Sequence, residues 1–438
     1  MVDNLIKQVL KQKRPGKSDI ITQGILPDEL LQSQISLSKD IEDEIEELTK
    51  DNQLFQNLNF STQLDRKFKR GVAILYIEAE GEKYRVKGRS AIQAPLNTEL
   101  TEAPKVSFSC QMQGENISSK MSQIKGRMRQ FSQKKLEARQ IRGWLIKLEE
   151  KLKQDFDQDS ISCLVINDGT DFEIPWEMLE LLENKYLGAS IVTTRWQNIV
   201  KPYAYEEADY LIPLEIKPDN CCGDIVVYAN TKDLKSVKQE IKILNKFNSN
   251  SFEQINDFLN HLEQITSQIS LVFIASHGFL GENISQISFG EDDTKEQFSL
   301  AEMYDFDFDF FKTSNTIIFM NSCHSGRLLK DRTIHIINSD ERTGFATFFL
   351  ERGAKGVVGT LSKVADSYAA RVTYNFFVEH QNYPNLSVAA ILRNLRAQAI
   401  QNLQASKTRE NKLMFLFTFM YVYYGNPEII LQPNLCEK

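Results

Sequence analysis

No run of about 18 consecutive apolar residues occurs anywhere in this 438-residue chain, which excludes a membrane-spanning helix. The opening segment MVDNLIKQVLKQKRPGK has neither the apolar core nor the small-residue cleavage site of a secretory signal. The expected location is therefore cytoplasmic. Cysteine is sparse: six residues, at positions 110, 163, 221, 222, 323 and 436, with no C-x-x-C pair. That spacing is neither a disulfide framework nor a metal-binding set, and a cytosolic setting leaves the thiols reduced. Neither G-x-G-x-x-G nor a P-loop pattern is present. No cofactor and no metal are expected. Basic charge is not in excess either, with 52 Lys and Arg against 59 Asp and Glu and a net charge of −7. The balance argues against a general nucleic-acid partner.

What is present is the composition of a globular protein, 42% hydrophobic and 25% charged, long enough for two or three units. Residues 1–68 are polar. Within them SLSKDIEDEIEELTKDNQLFQNL reads as an acidic amphipathic helix, with Ile41, Ile45, Leu48 and Leu54 near helical spacing and Ser38 as a cap. It either packs on the main body or serves as a partner-binding arm. GVAILYIEAEGEKYRVKG alternates on both sides of Glu80-Gly81-Glu82 and predicts a β-hairpin, with VSFSCQM (106–112) a further strand. Residues 118–153 predict a long basic helix.

Beyond about residue 160 the pattern changes. Short β-branched runs at 161–167, 189–194, 224–230, 270–276, 315–321 and 355–360 alternate with helical stretches. Continuous apolar strands alternating with helices predict a mostly parallel sheet covered on both faces. In such sheets the functional site lies beyond the carboxyl ends of the strands.

Two of these strands end in reactive chemistry. SLVFIAS runs into His277-Gly278, and NTIIFMN runs into Ser322-Cys323-His324-Ser325-Gly326. Parallel strands bring both ends to one edge, so Cys323 and His277 are expected to face each other. A free thiol is only a few per cent thiolate at neutral pH and needs a base to activate it. His277 is the candidate base, later returning a proton to the leaving amine. The backbone N–H groups of Gly278 and Cys323 are the candidate oxyanion donors. Taken singly, a strand-end cysteine is usually a small buried hydrophobe; the pair in this order is what points to catalysis. His324 adjoins the nucleophile but points elsewhere and is expected to support the turn. His261, His335 and His380 are expected to be packed or solvated.

The order of segments resembles the CHAT-domain proteases, a caspase-like group related to separases, caspases and metacaspases. The similar segments are LVINDGTDFEIPWEML, DIVVYANTKDLKSVKQEIKIL, FIASHGFLGENISQISFG, SLAEMYDFDFDF, RTGFATFFLERGAKGVVGTLSKVADSYAA and FMYVYYGNPEIIL, in that order between about 160 and 438. The resemblance implies an α/β fold, a mostly parallel caspase-like sheet flanked by helices. It would have a degenerate half (119–215) and a catalytic half (216–438), preceded by an α+β extension made of a helical segment (1–68) and a hairpin-rich one (69–118). It implies a cysteine endopeptidase cleaving a protein partner, held inactive until a sensor or regulatory protein engages it, often in bacterial defence.

Two departures bear on specificity. Metacaspases, which share the C-H-S-G sequence, carry an aspartate two residues before the cysteine to line a pocket for a basic side chain; here that position is Asn321. The family's usual Trp-Pro after G-T-L is Ser362-Lys363. Asp366 is then the acidic candidate for reading substrate, or else a helix cap. Thr360, Leu361 and Ser362 are candidates to pair with a peptide as an added strand. The acidic 291–293 stretch and DFDFDF (305–310) are expected in surface loops, where either could flank the groove. The competing readings are a caspase-like scaffold without turnover and a flavodoxin-like protein. The second explains the sheet but not its two reactive strand ends.

Overall fold

Each apolar run beyond residue 160 contributes a strand, and most are buried along their whole length. This is seen in a computed structural model that describes residues 70–102, 132–170, 174–197, 216–247, 249–281, 283–292, 296–330 and 342–433. The acidic helix expected in 1–68, the strand at 106–112, the start of the basic helix, Asp293 and His335 lie outside these residues. Among the described residues no helix is long and apolar enough to cross a membrane.

The central sheet uses β1 (Val72–Glu80), β2 (Lys83–Ser90), β3 (Cys163–Asp168), β4 (Thr193–Arg195), β5 (Asp219–Ala229), β6 (Ser249–Phe252), β7 (Ile269–Ala275), β8 (Ile317–Asn321), β9 (Gly356–Thr360), β10 (Tyr421–Gly425) and β11 (Ile429–Pro433). Across the sheet the order is β6-β5-β7-β8-β9-β10-β4-β3-β1-β2, with β11 also on β5. Strands β6, β5, β7, β8 and β9 run parallel. Strands β10, β4, β3 and β1 run parallel to one another. The two sets meet in an antiparallel pair, β9 with β10. The expected hairpin forms around Gly81, with Glu80 opposite Lys83, and it joins this same sheet through β1 and β3.

Alternation along the buried strands explains why helices cover both faces. Val226, Tyr228, Val272, Ile274, Ile318 and Met320 enter one apolar cluster. Their neighbours Ile225, Val227, Leu271, Phe273, Ile317 and Phe319 enter another, on the opposite face. Burying a side chain of this size contributes roughly 1.5–3 kcal/mol, so the middle of the sheet is a rigid platform. Helices α2 (Val237–Leu244), α5 (Asp366–Asn382) and α6 (Val388–Ala405) contribute to the second cluster, and α3 (Ile255–Gln264) with α4 (Phe345–Glu351) to the first. Helix α1 (Leu136–Phe156) begins later than expected, after a turn at 132–135. It buries Ile141, Trp144, Leu145, Leu148 and Leu152 at helical spacing. Helix α7 (Arg409–Met420) runs straight into β10.

The DFDFDF stretch is a corner rather than an open loop. Phe308 and Phe310 are buried, the rings of Phe306 and Phe308 stack at 5.7 Å, and Phe308 sits with φ 47°. Its apolar half packs beneath α4, with Phe308 edge-on to Phe348.

Candidate active site

Register places the two reactive residues side by side. Ala275 at the end of β7 pairs with Asn321 at the end of β8, and His277 and Cys323 each follow their pair by two residues. Beyond β7 the chain enters a small antiparallel sheet in which His277 opposes Gly290 and Gly278 opposes Phe289. Beyond β8 it makes a tight turn stapled to β9. Ser325 Oγ donates to the carbonyls of Met320 and Ser322 at 2.9 and 2.8 Å and accepts the Thr360 N–H at 3.0 Å. The Gly326 N–H donates to the Thr360 carbonyl at 2.9 Å.

One glycine is required by this approach. A Cβ built on Gly278 would lie 2.8 Å from both the carbonyl carbon and the amide nitrogen of Cys323 and would overlap its carbonyl oxygen. The two candidate oxyanion donors therefore belong to segments in backbone contact.

His277 and Cys323 line one cleft of about 140 Å³, together with Glu240, Ser276, Asn321, Ser322, Thr360, Asp366 and four apolar residues. The thiol is half-buried and donates to the Val364 carbonyl at 3.7 Å. Burial pushes it above its ordinary value, opposed in part by that backbone contact and by Lys363. His277 Nε2 makes no hydrogen bond; it lies 3.7 Å from the Asp292 carboxylate. The loop behind it is held in place: the Asp292 N–H donates to Asp233 Oδ2 at 3.0 Å, Asn230 Nδ2 donates to the same oxygen at 3.0 Å, and Lys232 pairs with Glu291. Those hydrogen bonds keep the Asp233 carboxylate below its usual range. Of the 291–293 stretch, then, Glu291 is buried and Asp292 flanks the cleft.

His324 does not line the cleft. It is 4% exposed and sits at φ 63°. Burial first, then Lys363, lowers its pKa from 6.5 to about 4. Between those values the unfolded chain takes up a proton that the folded one refuses, so this group's contribution to stability is lost as pH falls from 6.5 toward 4. His324→Asn, with a residue that tolerates φ > 0, is expected to abolish that acid-side loss, worth up to roughly 3 kcal/mol. Denaturant melts of both proteins at pH 4.5 and 7.5 check this. His261 packs on Phe252 at 4.8 Å and His380 on Phe247 at 5.8 Å, each as expected of a packed side chain.

The substrate candidates are placed differently from one another. Asp366 lines the cleft. It is the first residue of α5 and makes no cap to its own helix; its Oδ2 accepts the Ser236 N–H at 2.9 Å. Thr360 also lines the cleft, but Leu361 and Ser362 are buried and their backbones are engaged. The Leu361 N–H donates to Met420 O at 2.9 Å, and Ser362 O accepts from His324 at 3.4 Å.

Asn321 is buried rather than displayed. Its Nδ2 donates to Glu240 Oε1 and, at 3.0 Å, to Thr373 Oγ1, and its Oδ1 accepts from the Tyr421 hydroxyl. Glu240 escaped the sequence reading. The signal was an acid on the apolar stripe of α2, where Val237, Glu240, Ile243 and Leu244 are the buried positions. Burial, with Asp366 adding to it, raises the Glu240 carboxyl to about 8, against hydrogen bonds from Thr373 and Asn321. From pH 4.5 to 8 the folded chain holds a proton the unfolded chain has lost, so stability falls as pH rises through that window. Glu240→Gln keeps the acceptor oxygen and has no such loss. Its stability relative to the wild type is expected to increase from pH 4.5 to pH 8, by up to roughly 4 kcal/mol, read from melting temperatures at the two pH values.

Residues 135–412 match the CHAT domain family. No curated protein matches the sequence. Among solved structures, Saccharomyces cerevisiae separase in its complex with securin aligns at 12% identity and a TM-score of 0.45, covering 84% of this chain and 31% of that one. The chain thus spans about a third of the separase chain. The Arg specific cysteine proteinase gingipain R aligns at 10% identity and a TM-score of 0.41, covering 67% and 68%. The complex of Porphyromonas gingivalis RgpB pro- and mature domains aligns at 9% identity and a TM-score of 0.40, covering 67% and 70%.

Proposed function

The chain belongs to the CHAT domain family, and from that premise we propose that it is a cysteine endopeptidase acting through Cys323 and His277. The observation that carries this reading is the in-register ending of β7 and β8, which puts a thiol and an imidazole on the rim of one cleft. In the reaction, His277 accepts the Cys323 proton and the thiolate attacks the scissile carbonyl. The tetrahedral oxyanion is held by the N–H groups of Cys323 and Gly278. The imidazolium then protonates the departing amine, leaving a thioester that water hydrolyses with His277 as base again.

The resting arrangement supports a need for activation. The thiol is bonded to the Val364 carbonyl, its pKa is raised by burial, and His277 Nε2 has a carboxylate rather than sulfur as its near neighbour. A regulatory protein that moves either segment would bring sulfur and nitrogen into hydrogen-bond range. Asp292 is 72% exposed, so its hold on the imidazole is screened. Asp292→Ala is accordingly expected to change kcat/KM by less than about tenfold, as measured on any peptide the activated chain turns over.

The direct test incubates the full-length wild type and Cys323→Ala with proteins encoded beside it. Cleavage of a partner by the wild type alone is the expected result. Cleavage by both would remove Cys323 from the mechanism; no cleavage, with binding retained, would favour the scaffold reading.

A further inference from the structure

The cleft that holds Cys323 and His277 has a further set of lining residues of mixed chemistry. Four of its lining residues, Leu234, Val237, Val364 and Ala369, are apolar. Two more are carboxylic acids, Glu240 from α2 and Asp366 from α5, and no lysine or arginine is among the lining residues. Glu240 is 2% exposed. Its Oε1 accepts from Asn321 and Thr373, while among the described residues no hydrogen bond reaches its Oε2. A cleft lined by aliphatic side chains and carboxyl groups, with no cation of its own, matches a side chain with an apolar stem and a cationic tip.

Resting on the cysteine-peptidase reading, we infer that this slot receives a lysine or arginine side chain of the substrate and that Glu240 is the residue that reads its charge. Position 321 cannot do so directly. The amide of Asn321 is spent between Glu240, Thr373 and Tyr421, and it acts as a positioning residue that aims the Glu240 carboxyl. The acidic function lies one layer deeper, on a helix rather than on the nucleophile's own strand.

The protonation state of Glu240 supports this. Buried beside Asp366, it holds its proton up to about pH 8 in the empty protein. A cation entering the slot favours the charged form, so binding releases a proton and is favoured as pH rises toward 8. The groups that face Glu240 are Asp366 and Thr373 from α5, Asn321 from β8 with Cys323 beyond it, Tyr421 from β10, and His277 across the cleft.

The experiment uses the full-length chain together with the proteins encoded beside it, so that an activating partner is present, and fluorogenic peptides identical except at P1, comparing lysine with norleucine and arginine with citrulline. Each pair differs in charge and little in shape. The expected wild-type preference for the charged member is at least 100-fold in kcat/KM, rising from pH 6 to pH 8. A ratio of two substrates at one pH cancels the pH dependence that both share. In Glu240→Gln the preference is expected to fall at least tenfold and to become flat with pH. Asp366→Asn is expected to weaken the preference and to move its rise to lower pH, because the Asp366 charge helps hold the proton on Glu240. Equal turnover of charged and neutral members, or a preference unchanged in Glu240→Gln, would overturn this inference and leave the peptidase reading standing. Hydrolysis of none of the peptides, with Cys323 unreactive toward a peptidyl electrophile, would remove both.

Discussion

Cys323→Ala and His277→Ala are each expected to lower peptide cleavage by a factor on the order of 10⁴ to 10⁶, and the double variant no further than either alone. Nucleophile and base act as a unit, so removing one leaves the other nothing to do. What remains is the orientation and oxyanion binding supplied by the rest of the site. Neither change is expected to unfold the protein, because both side chains sit half-exposed on the rim of a cleft. The platform beneath them is the fully buried strand pair β7 and β8. Single-turnover rates on a cleaved partner, beside melting temperatures, check both halves of the statement. An additive loss in the double variant would mean that the two residues act in separate steps. His324→Asn is the internal control, since its side chain is buried and is not among the residues that line the cleft.

Gly278→Ala is the second large effect. The new methyl group would sit 2.8 Å from the Cys323 amide nitrogen and carbonyl carbon, and both neighbours are backbone, with no flexible end to give way. The segments must separate. A displacement near 1 Å costs on the order of 10² in rate, and the loss of a well-placed oxyanion donor adds on the order of 10² to 10³. Overpacking at such a point lowers stability by roughly 1–3 kcal/mol. Gly81→Ala makes the comparison informative. That glycine has φ +63° with open space around its Cβ position, so the change costs only the left-handed strain of about 1–2 kcal/mol and leaves activity intact. Equal activity losses in the two variants would separate the Gly278 result from the site.

Much of this was legible in the sequence because it rests on local pattern. β-Branched apolar runs specify strands buried on both faces, and two of them ending in His-Gly and Ser-Cys-His-Ser-Gly specify one reactive edge. The separation of His324 from the cleft was also legible, since it and Cys323 are neighbours in a turn and cannot point the same way. What escaped depends on tertiary partners. Glu240 reads as one acid on an amphipathic helix until α2 is laid against β8 and α5. The bonds from the Asn321 amide to Glu240, Thr373 and Tyr421 likewise form only once those elements are packed together. Thr360-Leu361-Ser362 reads as a free strand edge until the nucleophile turn and α7 take up its backbone groups.

The central claim is that Cys323 is a nucleophile made reactive by His277. It is tested most directly by treating the full-length protein with a peptidyl acyloxymethyl ketone ending in lysine and locating the adduct by peptide mass mapping. This account predicts one covalent adduct, on Cys323, formed at a rate that falls at least 100-fold in His277→Ala and stays within about tenfold in His324→Asn. An adduct on another cysteine, or labelling of Cys323 at the same rate without His277, would contradict it.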